Sequence, residues 1–184
     1  MAAVDLNFRA ATLEDAPQLQ ELVQNAFRAA DSRSDWTGDM GLASQFHISV
    51  EEIKSFMNGP ESAFLIATDQ NGVMMGTIGV SKRGANGARL SMLAVDHRYH
   101  RGGLGRQILG YAEDYSYQTW GATKAGLNAL STRQTLIAWY MRRGYKKTGE
   151  TSPFPRKRFP DLDLPEDMCF VEFEKDLDPV AVAA

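Results

Sequence analysis

Arg101-Gly102-Gly103-Leu104-Gly105-Arg106 places three glycines between two guanidinium groups, directly before an amphipathic run. Upstream stands a short apolar segment, Leu90-Ser91-Met92-Leu93-Ala94-Val95. A strand, a glycine turn and a helix start in that order can hold a phosphate. Glycine lets the backbone approach an anion closely, and the first N–H groups of a helix lack partners within it. Arg101 and Arg106 add charge-assisted donors at the same spot.

Two common phosphate-binding loops fit poorly. A dinucleotide loop reads G-x-G-x-x-G, whereas Gly103-Leu104-Gly105 continues as Arg106-Gln107-Ile108, without the third glycine. A nucleoside-triphosphate loop requires Gly-Lys, and the chain contains no such pair.

The wider stretch is more specific. Leu93-Ala94-Val95-Asp96 followed by Tyr99-His100-Arg101-Gly102-Gly103-Leu104-Gly105 resembles motif A of the GNAT superfamily of N-acetyltransferases. Further on, Ile137-Ala138-Trp139-Tyr140-Met141-Arg142-Arg143-Gly144-Tyr145 resembles motif B, a helix ending in Y-x-[KR]-x-G-[FY]. The two occur in the family's order. Departures are His100 where motif A has Gln or Arg, His97 where a proline is common, and Arg133 where motif B opens on asparagine. Ser91 stands where an acidic residue is frequent, which removes an obvious general base.

The resemblance implies an α+β fold, a GNAT-like α/β/α sandwich around a mixed, mostly antiparallel sheet splayed at the acyl-CoA site. It implies one domain over 1–184, with 179–184 as a frayed tail. Acetyl-CoA is the implied co-substrate, with no metal. Its pantetheine arm would pair with the strand backbone at Leu93, Ala94 and Val95. Its pyrophosphate would sit on Arg101, Gly102, Gly103, Leu104, Gly105 and Arg106. The Leu93 N–H would polarise the thioester carbonyl, and Tyr140 matches the motif B tyrosine that acts as general acid. A phenol suits that role because it stays protonated at neutral pH. Asn128, polar on an otherwise apolar strand, needs a partner and is a candidate for pantetheine. The base is not visible: a water chain, an acidic residue within 31–39, or an amine that binds already neutral all remain open.

The acceptor implied is the primary amine of a small molecule. Asp35, Trp36 and Phe154 are the candidate substrate residues, and aromatics at Trp36, Phe154 and Phe159 suit an amine with an apolar body. A protein or peptide acceptor, and a non-catalytic acyl-CoA-binding module, are the alternatives. His97 and His100 read as exposed loop histidines, His47 as structural. Cys169 reads as a small apolar sheet residue. The basic run Arg156-Lys157-Arg158 reads as solvated, with an anion-binding role as the alternative.

The periodicity that must position these residues is as follows. Leu6, Phe8 and Ala10 alternate as a strand, and Thr12 opens a first helix running to about Ala30. Residues 31–45 break pattern and form a candidate acceptor loop. Ser49-Val50-Glu51-Glu52 is a capping box for a helix ended by Asn58-Gly59-Pro60. Residues 63–68 and 73–81 form a hairpin around Asp69-Gln70-Asn71-Gly72. The motif A strand follows from Ala88, then a helix over 105–120, a strand over 123–129 and a helix over 133–142 closed by Gly144. A strand begins at Lys146. Residues 152–167 form a long loop, and 168–175 a final strand.

Composition bounds the rest. The 184 residues suffice for one domain, and 43% hydrophobic with 23% charged residues reads as soluble and globular. A net charge of −3 gives no basic field for nucleic acid. A single cysteine permits no internal disulfide. No apolar run spans a bilayer, so no membrane partner is expected and the default compartment is cytoplasmic. A monomer or a homodimer is compatible with all of this.

Overall fold

The computed structural model describes residues 5–28, 40–100 and 102–178. One seven-stranded sheet carries the strands β1 (Asn7–Ala10), β2 (Ser62–Thr68), β3 (Met74–Arg83), β4 (Gly87–Val95), β5 (Lys124–Leu130), β6 (Lys146–Pro153) and β7 (Cys169–Asp176). Their spatial order is β1-β2-β3-β4-β5-β7-β6. Only β4 and β5 run parallel; every other neighbouring pair is antiparallel. The helices are α1 (Ala16–Arg28), α2 (Met40–Ser44), α3 (Val50–Asn58), α4 (Leu104–Trp120) and α5 (Gln134–Arg142).

Alternation along the strands sorts side chains onto two faces. Leu65 and Ala67 of β2, Ile78 and Val80 of β3, and Ala125, Leu127 and Ala129 of β5 join α4 and α5 in the larger core. Phe64 and Ile66 of β2 and Met74 of β3 point the other way, onto Ala16 and Leu19 of α1 and Ile53 of α3. This is the expected layered α+β sandwich around a mixed sheet.

Local signals place most element ends. Ser49 Oγ accepts from the Glu52 N–H at 3.1 Å while Ser49 N–H donates to the Glu52 carboxylate at 2.7 Å, a complete capping box. Asp69 Oδ1 accepts from the N–H groups of Asn71 and Val73, which folds the hairpin turn before Gly72. Three expectations need correcting. Residues 40–44, read as loop, form the short helix α2. The first helix begins with a turn of 3-10 helix over Leu13–Asp15, before α1. Strand β6 runs on through Pro153, and the loop after it contains a 3-10 turn over Arg156–Arg158. The expected tail, 179–184, and the end of the first helix beyond Arg28 lie outside the described residues.

A buried polar cluster fastens three elements behind the sheet. Tyr145, 1% exposed, donates its hydroxyl to Glu113 Oε1 at 2.9 Å, and Lys175 Nζ donates to Glu113 Oε2 at 2.9 Å. Glu113 lies on α4, Tyr145 follows α5, and Lys175 lies on β7. Each carboxylate oxygen thus has a donor, which offsets the cost of burying the charge. Burial, reinforced by the Glu113 charge, holds the Tyr145 phenol well above its ordinary pKa. Tyr145→Phe leaves one oxygen without its donor and is expected to cost about 1–3 kcal/mol of unfolding free energy, read as a lower midpoint in chemical denaturation.

Candidate active site

The parallel pairing of β4 with β5 covers Gly87↔Lys124, Ala88↔Ala125 and Arg89↔Gly126, and then stops. Beyond it the facing edges of the two strands carry no strand partner. A bulge accompanies the split. On the β3 side the register steps from Gly79↔Ser91 to Thr77↔Ala94, so β4 holds one residue more than β3 there. Met92 adopts φ +52°, a left-handed conformation that a long side chain adopts only when the surroundings impose it. Such a bulge bends its strand and raises local twist. Ser91, beside Phe56 at Gly79, and Met92 therefore both face α1 and α3. Leu93 and Val95 return to the α4/α5 side.

The opening leads into a cleft of about 780 Å³. At its α4 end, Gly103 takes φ +71°, a left-handed turn that glycine adopts without steric cost. The first intrahelical bond of α4 runs from Gln107 N–H to Gly103 C=O at 3.2 Å. The N–H groups of Leu104, Gly105 and Arg106 precede it, and no side chain caps this 17-residue helix. Gly105 packs against Trp139 of α5. The Arg143 guanidinium lies over the Trp139 ring at 5.8 Å from its centroid. Arg143 Nε is buried without a hydrogen-bond acceptor among the described residues. An uncapped helix start beside an orphaned guanidinium nitrogen fits the phosphate groups of a coenzyme A.

Tyr140 lies on the wall of this cleft, 7% exposed, between Trp139, Tyr145 and Phe173. Unlike Tyr145, it has no carboxylate partner among the described residues. Burial pushes its phenol up to about 12, with the Arg133 charge acting in the opposite direction. It is a neutral O–H donor at every ordinary pH.

The expected cofactor residues converge here. Leu93, Ala94, Val95, Gly103, Gly105, Arg106 and Asn128 all line the cleft, with Tyr140 among them. Leu104 is buried behind the turn at 4% exposure, and Gly102 is exposed before it. Arg101 lies outside the described residues, as do Asp35, Trp36 and the acidic positions of 31–39. Asn128 finds its partner in the protein: its Nδ2 donates to Glu172 Oε1 at 3.3 Å. His100, read as an exposed loop residue, is half-buried and lines the cleft. Its Nε2 sits 3.1 Å from the Val95 carbonyl oxygen. His97 is exposed as expected. Arg156 reaches the carbonyls of Leu164 and Pro165, so it ties down its own loop. Phe154 lines the cleft together with Phe159 and Phe170. Met92, Arg143, Trp139, Phe27, Phe46 and Phe170 were not singled out from sequence as site residues. Phe170 had a signal, since its parity along β7 is opposite to that of Val171 and Phe173. Among the described residues no group of three or more His, Cys, Asp or Glu could hold a metal ion, and no helix is long and apolar enough to cross a membrane.

Residues 35–159 match the family model for the GNAT acetyltransferase domain. No curated protein matches the chain by sequence. Among solved structures, an Escherichia coli N-acetyltransferase for an alanine of a ribosomal protein superposes with a TM-score of 0.68 at 19% identity, covering 95% of each chain. A spermidine N-acetyltransferase from Vibrio cholerae, solved with CoA and spermine, gives 0.68 at 13% identity over 94% of this chain and 95% of that one. A GNAT-family acetyltransferase from Staphylococcus aureus gives 0.62 at 16% identity over 95% and 100%. These identities speak to the fold, and the family model covers more than half of the chain. The chain belongs to the GNAT family of acetyltransferases.

Proposed function

We propose that this chain transfers an acetyl group from acetyl-CoA directly onto the primary amine of a small molecule, with Tyr140 as general acid. The observation that carries the reading is the coincidence of three features in one cleft: the split between β4 and β5, the uncapped start of α4, and the buried, neutral Tyr140. The family uses acetyl-CoA, and the similar solved structures include both a small-molecule and a protein N-acetyltransferase. The aromatic side chains of Phe27, Phe46, Phe154 and Phe159 along the cleft favour a small amine with an apolar body.

In this reading the N–H groups at the start of α4, with Arg106 and Arg101, hold the pyrophosphate. Arg143 offers its Nε to a further phosphate oxygen. The free edge of β4 from Leu93 to Val95 takes up the amide-bearing arm as a strand would. Asn128, fixed by Glu172, lines the other side of the gap. Bound acetyl-CoA supplies a thioester carbon that accepts the amine lone pair as the C–S bond breaks, giving the N-acetyl product and a free thiol. Tyr140 donates a hydrogen bond and then its proton toward the departing sulfur, and recovers a proton from solvent. The Leu93 N–H donates to the thioester oxygen in this reading.

Free-thiol release from acetyl-CoA against a panel of amines tests the reading. Tyr140→Phe is expected to lower kcat about 100-fold while leaving the Kd for CoA unchanged. An unchanged kcat in that variant would remove Tyr140 from the chemistry. Arg143→Met is expected to weaken CoA binding roughly tenfold, measured by calorimetry, because a charged donor to phosphate is lost.

The pH dependence follows from the charges present. An alkylammonium has a pKa of roughly 10 and must lose its proton before attack. No carboxylate lines the cleft among the described residues, and His100, which does line it, has its Nε2 against the Val95 carbonyl oxygen. The acid, pushed up to about 12, stays protonated over the working range. So kcat/KM is expected to climb with pH toward the amine's own pKa, with no falling limb below about pH 11. A plateau setting in near pH 7 would instead reveal a base supplied by the enzyme.

A further inference from the structure

The cleft passes through the sheet and has two chemically different ends. On the α4/α5 side stand Arg106, Arg133 and Arg143, the only arginines among the described lining residues. On the α1/α2 side the lining is aromatic and aliphatic. Phe27 of α1 stacks on Phe46 at 4.6 Å between centroids and 19° between planes. Phe154 stacks on Phe159 at 5.5 Å and 23°, and meets Phe170 at 5.8 Å. Met92, pushed to this side by the bulge, adds a thioether to the lining.

The charge on this side is as informative as the rings. Arg89, Asn128, Glu172 and Phe170 share the α1/α2 face of the sheet, by the alternation that sends Ala88, Leu127 and Phe173 to the other face. Glu172 is the carboxylate beside the cleft, and it is already engaged. Arg89 donates to both of its oxygens, at 2.6 and 3.4 Å, and Asn128 to one of them. Burial raises this carboxyl, but the Arg89 hydrogen bond and charge outweigh it and hold it below its ordinary range.

We infer that the acceptor is a primary amine carrying an aromatic or similarly flat apolar body. This inference rests on the acetyl-transfer reading above. The body lies among Phe27, Phe46, Phe154 and Phe159, where stacked and tilted ring contacts add to area burial. The amine nitrogen points through the split toward the acetyl carbon. On attack, nitrogen gains the N–C bond, the thiol departs with the C–S electrons and a proton from Tyr140, and the amine's surplus proton passes to water.

The test uses the full chain with acetyl-CoA and three amines: 2-phenylethylamine, hexylamine and spermidine. Thiol release gives kcat/KM, and calorimetry gives the Kd for CoA. The expected order is 2-phenylethylamine above hexylamine above spermidine, with roughly a 10- to 100-fold span from first to last. Phe154→Ala and Phe27→Ala are expected to raise KM for 2-phenylethylamine about tenfold, narrowing its lead over hexylamine. Their Kd for CoA should stay at the wild-type value, which also certifies that they fold. Spermidine turned over as well as or better than 2-phenylethylamine would overturn the inference and leave the acetyl-transfer reading standing. Phenylalanine variants that leave the ratio between the two monoamines unchanged would do the same. CoA bound tightly with no turnover of any amine would overturn both.

Discussion

The constraint on which the site depends is the loss of pairing between β4 and β5 after Arg89 and Gly126. A parallel pair in the middle of a sheet normally satisfies its backbone groups along its whole length. Here the ladder is cut short, and amide groups in the heart of the molecule are left facing a gap. In the proposed reading, a ligand that carries amides of its own and ends in phosphates would meet both the strand edges and the uncapped start of α4. The same split gives access from the opposite face, so two reactants can approach one point from different sides of the sheet. Everything else in the architecture keeps this gap open: α4 and α5 brace one face, α1 and α3 the other, and β7 backs β5 on its far side.

Two tyrosines separated by five positions in the chain show how surroundings divide labour. Tyr140 and Tyr145 are both buried, and their rings are 6.0 Å apart. Tyr145 is committed to Glu113, which in turn holds Lys175, and so it anchors α5 to α4 and β7. Tyr140 faces the cleft with its proton retained by desolvation. The anchored tyrosine fixes the end of the helix that presents the other. Arg143, stacked on Trp139, caps the same helix. The nine-residue helix and the Arg143 that caps it therefore line the cleft together.

Much of this was legible because the signals were local. The glycine loop, the capping box at Ser49 and Glu52, the turn at Asp69 and the closing Gly144 each act within a few residues, and each appears where expected. What sequence could not display depends on pairing between distant segments. Asn128 demanded a partner, but Glu172 lies 44 positions away and becomes visible only through the β5–β7 register. Strand β6 reads as polar and irregular, since nearly all of it is exposed, and only its pairing with β7 extends it to Pro153. The helix α2 is too short for a period to emerge. Phe27 and Phe46 look like ordinary amphipathic positions until α1 and α2 bring them together. The bulge at Met92 has no sequence signature either, because methionine is not a residue that announces a left-handed backbone.

That bulge has a further consequence. Along β4, Ala88 and Leu90 point to the α4/α5 core on even positions, whereas Leu93 and Val95 do so on odd ones. The extra residue works as a parity switch. Without it, one half of the strand or the other would turn its apolar side chains to the wrong layer. Core packing on both sides of Met92 thus enforces the kink that helps part the strands. A mutation that straightened β4 would have to misplace hydrophobic groups to do so. Foldability and the capacity to admit a ligand are therefore inherited together in this strand, and selection for a well-packed interior protects the opening even where no ligand contact is at stake.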